Sequence, residues 1–177
     1  MILTGLEITD QVRRRRIVIA PFREEFVNPN SYNYGLGSTI LQSGRQPFDS
    51  AAIPEWDTLH IGDAGIVLQP GRLYLGHTAE TLGSKEFVTS LVGRSSLGRL
   101  GLFLQVTADL GHQGAVHRWT LEMHCVQPLR VYAGMRIGQV SFWAPTGPVK
   151  PYEGHYAHHS LPRPNVPVNR SLSDGRR

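Results

Sequence analysis

A single cysteine, Cys125, stands in the 177-residue chain. No disulfide can form within it, and a structural zinc site built from several thiolates is excluded. A long apolar run is also missing. The N-terminal stretch MILTGLEITDQVRRRR holds nothing long enough for a signal peptide or a membrane span. A soluble, cytoplasmic protein with no membrane partner is therefore expected. Charge of one sign is scarce too, with 18 basic against 14 acidic residues. Much of the excess comes from Arg13 to Arg16 and from Arg176 and Arg177. Nucleic-acid binders carry a broad basic face with interleaved aromatics. Here the run reads as a solvated strand end or turn, and no nucleic-acid partner is expected.

What the chain does have is short apolar runs punctuated by glycine and proline. RIVIA (16–20), GIVLQP (65–70), RLYLGHT (72–78), LFLQVTA (102–108), WTLEMHCV (119–126), LRVYAG (129–134) and IGQVSFW (137–143) are rich in strand-forming residues. Their spacing predicts a mainly β domain, a sandwich or barrel. Two short helices are expected. One is TGLEITDQVRR, capped by Thr4, with Leu6, Ile8 and Val12 facing inward. The other is a turn or two after Ser95. A core domain over 1–145 and a tail over 146–177 follow, the tail rich in Pro, Gly, His and Asn and able to act as a lid. Its last residues, SLSDGRR, are expected to be disordered.

Three clusters carry possible chemistry. GRSSLGRLGL (93–102) sets Arg94 and Arg99 around Ser95 and Ser96. If Ser95 opens a helical turn, free N–H groups, hydroxyls and forked guanidinium donors converge on one point, which suits phosphate. A serine-capped turn with two exposed arginines is the alternative. In WTLEMHC, strand alternation puts Thr120, Glu122 and His124 on one face and Leu121, Met123 and Cys125 on the other. A lone carboxylate on an apolar strand suits acid–base work if it is sheltered, and is ordinary surface if it is not. His112, His117, His155, His158 and His159 form a third group. It matches no metal-ligand spacing, and the zinc deaminase pattern is absent, so no metal ligands are assigned.

Taken together, MILTGLEI, VNPNSYNYGLG, LQPGRLYLGHT, LVGRSSLGRLGL, VTA, TLE and YAGMRIGQVSFW resemble the dCTP deaminases of the dUTPase-like superfamily. The resemblance covers most of the chain and is strongest at GRSSLGRLGL. It implies a distorted β-barrel or jelly-roll-like dUTPase-type fold, assembled as a homotrimer with active sites between subunits. It implies hydrolytic deamination of a cytosine nucleotide without zinc, dCTP to dUTP plus ammonia by default, with Mg²⁺ carried on the triphosphate. By the same resemblance Arg94, Ser95, Ser96, Leu97, Gly98 and Arg99 hold the nucleotide. Glu122 is the proton shuttle, helped by Ser95, Arg99 and the backbone near Ala108. His112, Thr120, Leu121, Gln139, Tyr152, His155 and His159 fall on nucleotide-binding positions.

The chain departs from the family pattern in four places. Asn33 stands for an aspartate after Ser31-Tyr32. His112 stands for an aspartate that meets the sugar and, in dUTPases, activates water. Ala115 stands for an aromatic that packs on the deoxyribose. In the tail, His155 and His159 replace a lysine and a glutamine. Ala115 opens space near the sugar, so relaxed sugar selectivity is one expectation, and refilling by His117 or Arg118 is the other. Two further functions compete with deamination: a dUTPase-like nucleotide pyrophosphatase, and a catalytically altered nucleotide-binding or regulatory protein.

Overall fold

Strand alternation decides which side chains reach the core. The computed structural model describes residues 1–44, 48–105, 107–148, 150, 152 and 160–165. The tail histidines His155, His158 and His159, and the terminal SLSDGRR, lie outside the described residues.

The chain opens with α1 (Gly5–Arg13) and continues as β1 (Ile17–Ala20), β2 (Val27–Asn28), β3 (Ser31–Gly35), β4 (Thr39–Ser43), β5 (Trp56–His60), β6 (Ile66–Leu68), β7 (Tyr74–His77), β8 (Thr81–Ser84) and β9 (Val88–Gly93). A one-turn helix α2 (Ser95–Gly98) leads into β10 (Leu102–Leu104), β11 (Leu110–Gly111), β12 (Val116–His117), β13 (Thr120–Cys125), β14 (Leu129–Val131) and β15 (Arg136–Trp143). All seven apolar runs contain strands. Those missed at the sequence level are mostly short or carry Gly, Asn or Ser, as in SYNYG of β3, while WDTLH of β5 has no buried residue and no apolar run.

Every strand pairing is antiparallel. One five-stranded sheet runs β10-β13-β7-β4-β5 and a second β11-β9-β15-β3-β2, with β1-β8-β12 and β14-β6 as smaller sheets. Between them lie Tyr32, Tyr34, Tyr74, Phe142, Leu121 and Met123, all fully buried. Truncating such a residue to alanine costs about 2–5 kcal/mol. Thr4 caps α1 as expected, its hydroxyl accepting from Glu7 N. Ile8 is buried and Val12 packs against the core. Leu6, expected to face inward, is instead 85% exposed. Helical spacing explains this: position 6 lies away from the stripe of Gly5, Ile8, Thr9 and Gln11 that packs down. The arginine run is solvated: Arg14 pairs with Asp10 at 2.8 Å and Arg16 with Glu86 at 2.6 Å. Among the described residues no helix is long and apolar enough to cross a membrane.

Candidate active site

The site starts from β13. Its burial alternates, with Leu121, Met123 and Cys125 in the core and Thr120, Glu122 and His124 on the opposite face. Antiparallel register sets Glu122 opposite Leu75 and Thr120 opposite His77. Glu122, half-buried, lines a cleft of about 620 Å³ together with Thr120, Ala108, His112, Tyr152 and Trp119.

Gln105 braces the Glu122 face of β13, and sequence reading missed it. Its side-chain carbonyl accepts from Glu122 N at 2.6 Å, and its amide donates to Ala108 O at 3.1 Å. Its backbone N–H also donates to Glu122 O at 3.2 Å. One side chain thus ties the loop carrying Ala108 to the strand carrying Glu122. The residue does so from the left-handed region, at φ 48°, where a non-glycine residue is strained. A polar residue in the middle of LFLQVTA was the available signal.

The loop from Leu110 to Thr120 makes one end of the cleft. His112 packs on Tyr152 with ring centroids 5.1 Å apart, and Tyr152 N donates to Gln113 O at 2.9 Å. Ala115 is buried, while His117 stacks on Trp119 at 4.4 Å. Part of the tail also reaches the cleft: Arg163 N donates to Thr120 Oγ1 at 3.2 Å. His77, the cross-strand partner of Thr120, is buried; its Nδ1–H faces Thr78 O at 2.8 Å, and its Nε2 has no hydrogen-bond partner among the described residues. Burial holds this imidazole below its ordinary pKa, and Arg118 adds to the effect.

The arginine–serine stretch lies elsewhere. Ser95 does open a helical turn, with Arg94 at its N-cap. Ser95, Ser96 and Arg99 are exposed, Arg94 and Gly98 half-buried, and Leu97 buried. Arg94 Nη1 donates to Arg136 O at 3.3 Å. None of the six lines the Glu122 cleft of the same protomer. β10 separates them from Gln105, about 10 Å of strand at 3.3 Å per residue. Gln139 also stands apart, its Oε1 accepting from Ser31 Oγ at 2.7 Å and Asn28 Nδ2 at 3.2 Å. The side chain of Leu121 is in the core, on the face away from Glu122. Asn33 has a structural reason: its amide donates to Phe26 O and Asn28 Oδ1, both at 3.1 Å, which an ionised aspartate could not do.

A family model described as dCTP deaminase-like matches residues 2–144. The chain belongs to the dCTP deaminase-like family. Among curated members, a dUMP-forming dCTP deaminase of Clostridium acetobutylicum is 40% identical over 94% of this chain and 96% of its own. One from Cytophaga hutchinsonii is 41% identical over the same shares. A dCTP deaminase of Rhodopirellula baltica is 44% identical over 83% of this chain and 74% of its own. The crystal structure of 2′-deoxycytidine 5′-triphosphate deaminase from Agrobacterium tumefaciens superposes with a TM-score of 0.64 at 22% identity. It covers 81% of this chain, which spans about half (48%) of that longer one. The family and the mainly β, dUTPase-type fold expected from the sequence are both borne out. The first two relatives are named as dUMP-forming, whereas dUTP was the default product expected from the sequence.

Proposed function

We propose that the protein deaminates dCTP and hydrolyses the resulting triphosphate to dUMP, releasing ammonia and pyrophosphate. The observation carrying this reading is Glu122, half-buried in a cleft beside the Ala108 backbone and braced by Gln105. Glu122 takes a proton from water as the oxygen bonds to C4 of cytosine. It passes that proton to the ring nitrogen N3, then takes the proton of the new C4 hydroxyl and gives it to the amine, so the C4–N bond breaks and ammonia leaves. Ser95 and Arg99 position the water and the carboxylate. A second water attacks the α-phosphorus and pyrophosphate departs. The nucleotide enters as its magnesium salt, its phosphates held by Arg94, Ser95, Ser96 and Arg99. Gln139 and the tail positions His155 and His159 complete the nucleotide contacts.

Those phosphate-binding residues lie outside the Glu122 cleft of their own protomer, which supports a homotrimer with active sites shared between subunits. Zinc takes no part in this reading, because one buried cysteine and no zinc deaminase motif offer no standard ligand set. Incubation with CTP, dCTP, CMP, dCMP, UTP and dUTP, followed by product mass measurement, tests the proposal. Ammonia and dUMP are expected from dCTP. Pyrophosphate from dUTP without ammonia from any cytosine nucleotide would make it a pyrophosphatase, and neither product would make it a binding protein. A tight zinc chelator should leave the rate unchanged, and loss restored only by zinc would contradict the water-activation scheme.

A further inference from the structure

Two arginines beside the α2 turn have no task so far. Arg136 opens β15, and Arg23 precedes the 3₁₀ turn Glu24–Phe26. Both are exposed, and both guanidinium groups lie over the buried ring of Phe26, at 5.1 Å for Arg23 and 5.6 Å for Arg136. Stacking of this kind orients a guanidinium and leaves its N–H donors open. Arg94 joins them, its Nη1 donating to the Arg136 carbonyl at 3.3 Å. Among the described residues none of the three is in an ion pair, although Glu24 and Glu25 adjoin Arg23 in sequence. The arginines at the end of α1 differ, since Arg14 and Arg16 each hold a carboxylate. Guanidinium groups do not lose their charge, so three of them without counter-charges leave a positive field that a polyanion would satisfy.

Their place on the sheet indicates which polyanion. Arg136 is flanked by Gln139 and Arg94, both assigned to the nucleotide above. Gln139 lies three residues along the same strand and pairs with Val92 of β9, two residues before Arg94. Between Arg136 and Gly138 the pairing of β15 with β3 shifts, two residues of β15 advancing against one of β3. Such a bulge brings the preceding side chain out on the other face. The burial pattern agrees: Ile137 and Gly138 are buried in succession, so exposed Arg136 shares the face of half-buried Gln139. Gln139, Arg136 and Arg94 thus form one continuous strip, and Arg23 widens it across Phe26. We infer that Arg136 and Arg23, with Arg94, receive the terminal phosphate of the nucleotide and give the site its preference for triphosphates, an inference that rests on the phosphate assignment above. Forked N–H donors match phosphate oxygens. A terminal phosphate carries about 1.5 to 2 negative charges at pH 7, so it gains the most from guanidinium groups without counter-charges.

The test is calorimetry with dCTP, dCDP and dCMP in a Glu122→Gln background, which removes turnover. Arg23→Met and Arg136→Met delete the charge but keep an apolar stem over Phe26. Together they should weaken dCTP binding roughly 10–100-fold and leave dCMP affinity near its starting value. Unchanged dCTP affinity, or an equal loss for dCTP and dCMP, overturns the inference. With both arginines present, dCTP should bind more tightly than dCDP. Equal affinity for the two overturns the inference without any arginine variant, so the outcome does not depend on the methionine variants folding. Arg94→Ala separates this inference from the assignment beneath it. If that variant weakens dCTP binding and the methionine variants do not, α2 binds phosphate and the terminal subsite is elsewhere. If none of them does, the phosphate assignment falls as well. Should no nucleotide yield ammonia, the reaction reading fails while these affinities still decide the role of Arg23 and Arg136.

Discussion

The Glu122 cleft and the α2 turn are built in opposite ways. In the cleft, backbone and aromatic groups are tied down: Gln105 bridges Ala108 and Glu122, and three hydrogen bonds fix Trp119. At α2, a one-turn helix presents exposed Ser95, Ser96 and Arg99, and its N-cap residue makes no side-chain capping bond. The difference follows from what each is proposed to handle. Attack of water on a ring carbon, with protons passed to nitrogen, requires atoms held near their reactive positions, so the protein fixes them before substrate arrives. A triphosphate brings charge and several acceptors, and long cationic side chains can close on it afterwards.

Breaking the rigid side should have the largest effect. Glu122→Gln keeps shape but cannot take the proton, so kcat should fall about 10²–10⁴-fold or more. Calorimetry should show dCTP affinity nearly intact, and near-normal turnover would remove Glu122 from the mechanism.

The open side should respond in binding. Arg94→Ala and Arg99→Ala each remove charge-assisted bonds of about 1.5–3 kcal/mol. Triphosphate affinity should drop roughly 10–100-fold, at a factor of ten per 1.4 kcal/mol. Deoxycytidine affinity should stay near wild type. An equal loss for nucleoside and triphosphate would show that α2 does not bind phosphate.

A smaller effect separates positioning from packing inside the cleft. Gln105→Leu and Gln105→Gly both delete the side-chain bridge, but glycine also relieves the left-handed backbone. With two hydrogen bonds of about 1 kcal/mol each at stake, kcat should fall roughly 10-fold in both while KM changes little. Recovery in the glycine variant would assign the effect to backbone strain rather than to the amide.

The smallest concerns His77, the buried cross-strand partner of Thr120. Burial holds its folded-state pKa below the ordinary 6.5. As pH falls through that range, the unfolded chain takes up a proton that the folded chain refuses, so stability declines. It is fully present above 6.5 and is lost as pH falls toward the folded value. Urea midpoints measured from pH 7.5 downward should show this slope, and His77→Gln should reduce it. An unchanged slope would place the acid sensitivity elsewhere.

The seven strands within apolar runs and the turn after Ser95 were legible because each depends on neighbours in sequence. The face shared by Thr120, Glu122 and His124 follows from a period of two, and the turn after Ser95 from local capping chemistry. The resemblance of GRSSLGRLGL and TLE to a family added the reaction and the roles of the residues. Gln105 and Trp119 were not legible. One reads as a polar residue inside a strand-like run and the other as the start of a strand. Their importance comes from partners far along the chain: Glu122 for the first, Thr78 and Leu82 for the second. Such contacts exist only after antiparallel register brings β7, β10 and β13 together. Strand period assigns each residue a face, but only the packed sheet decides which loop folds over that face and which side chains are held there.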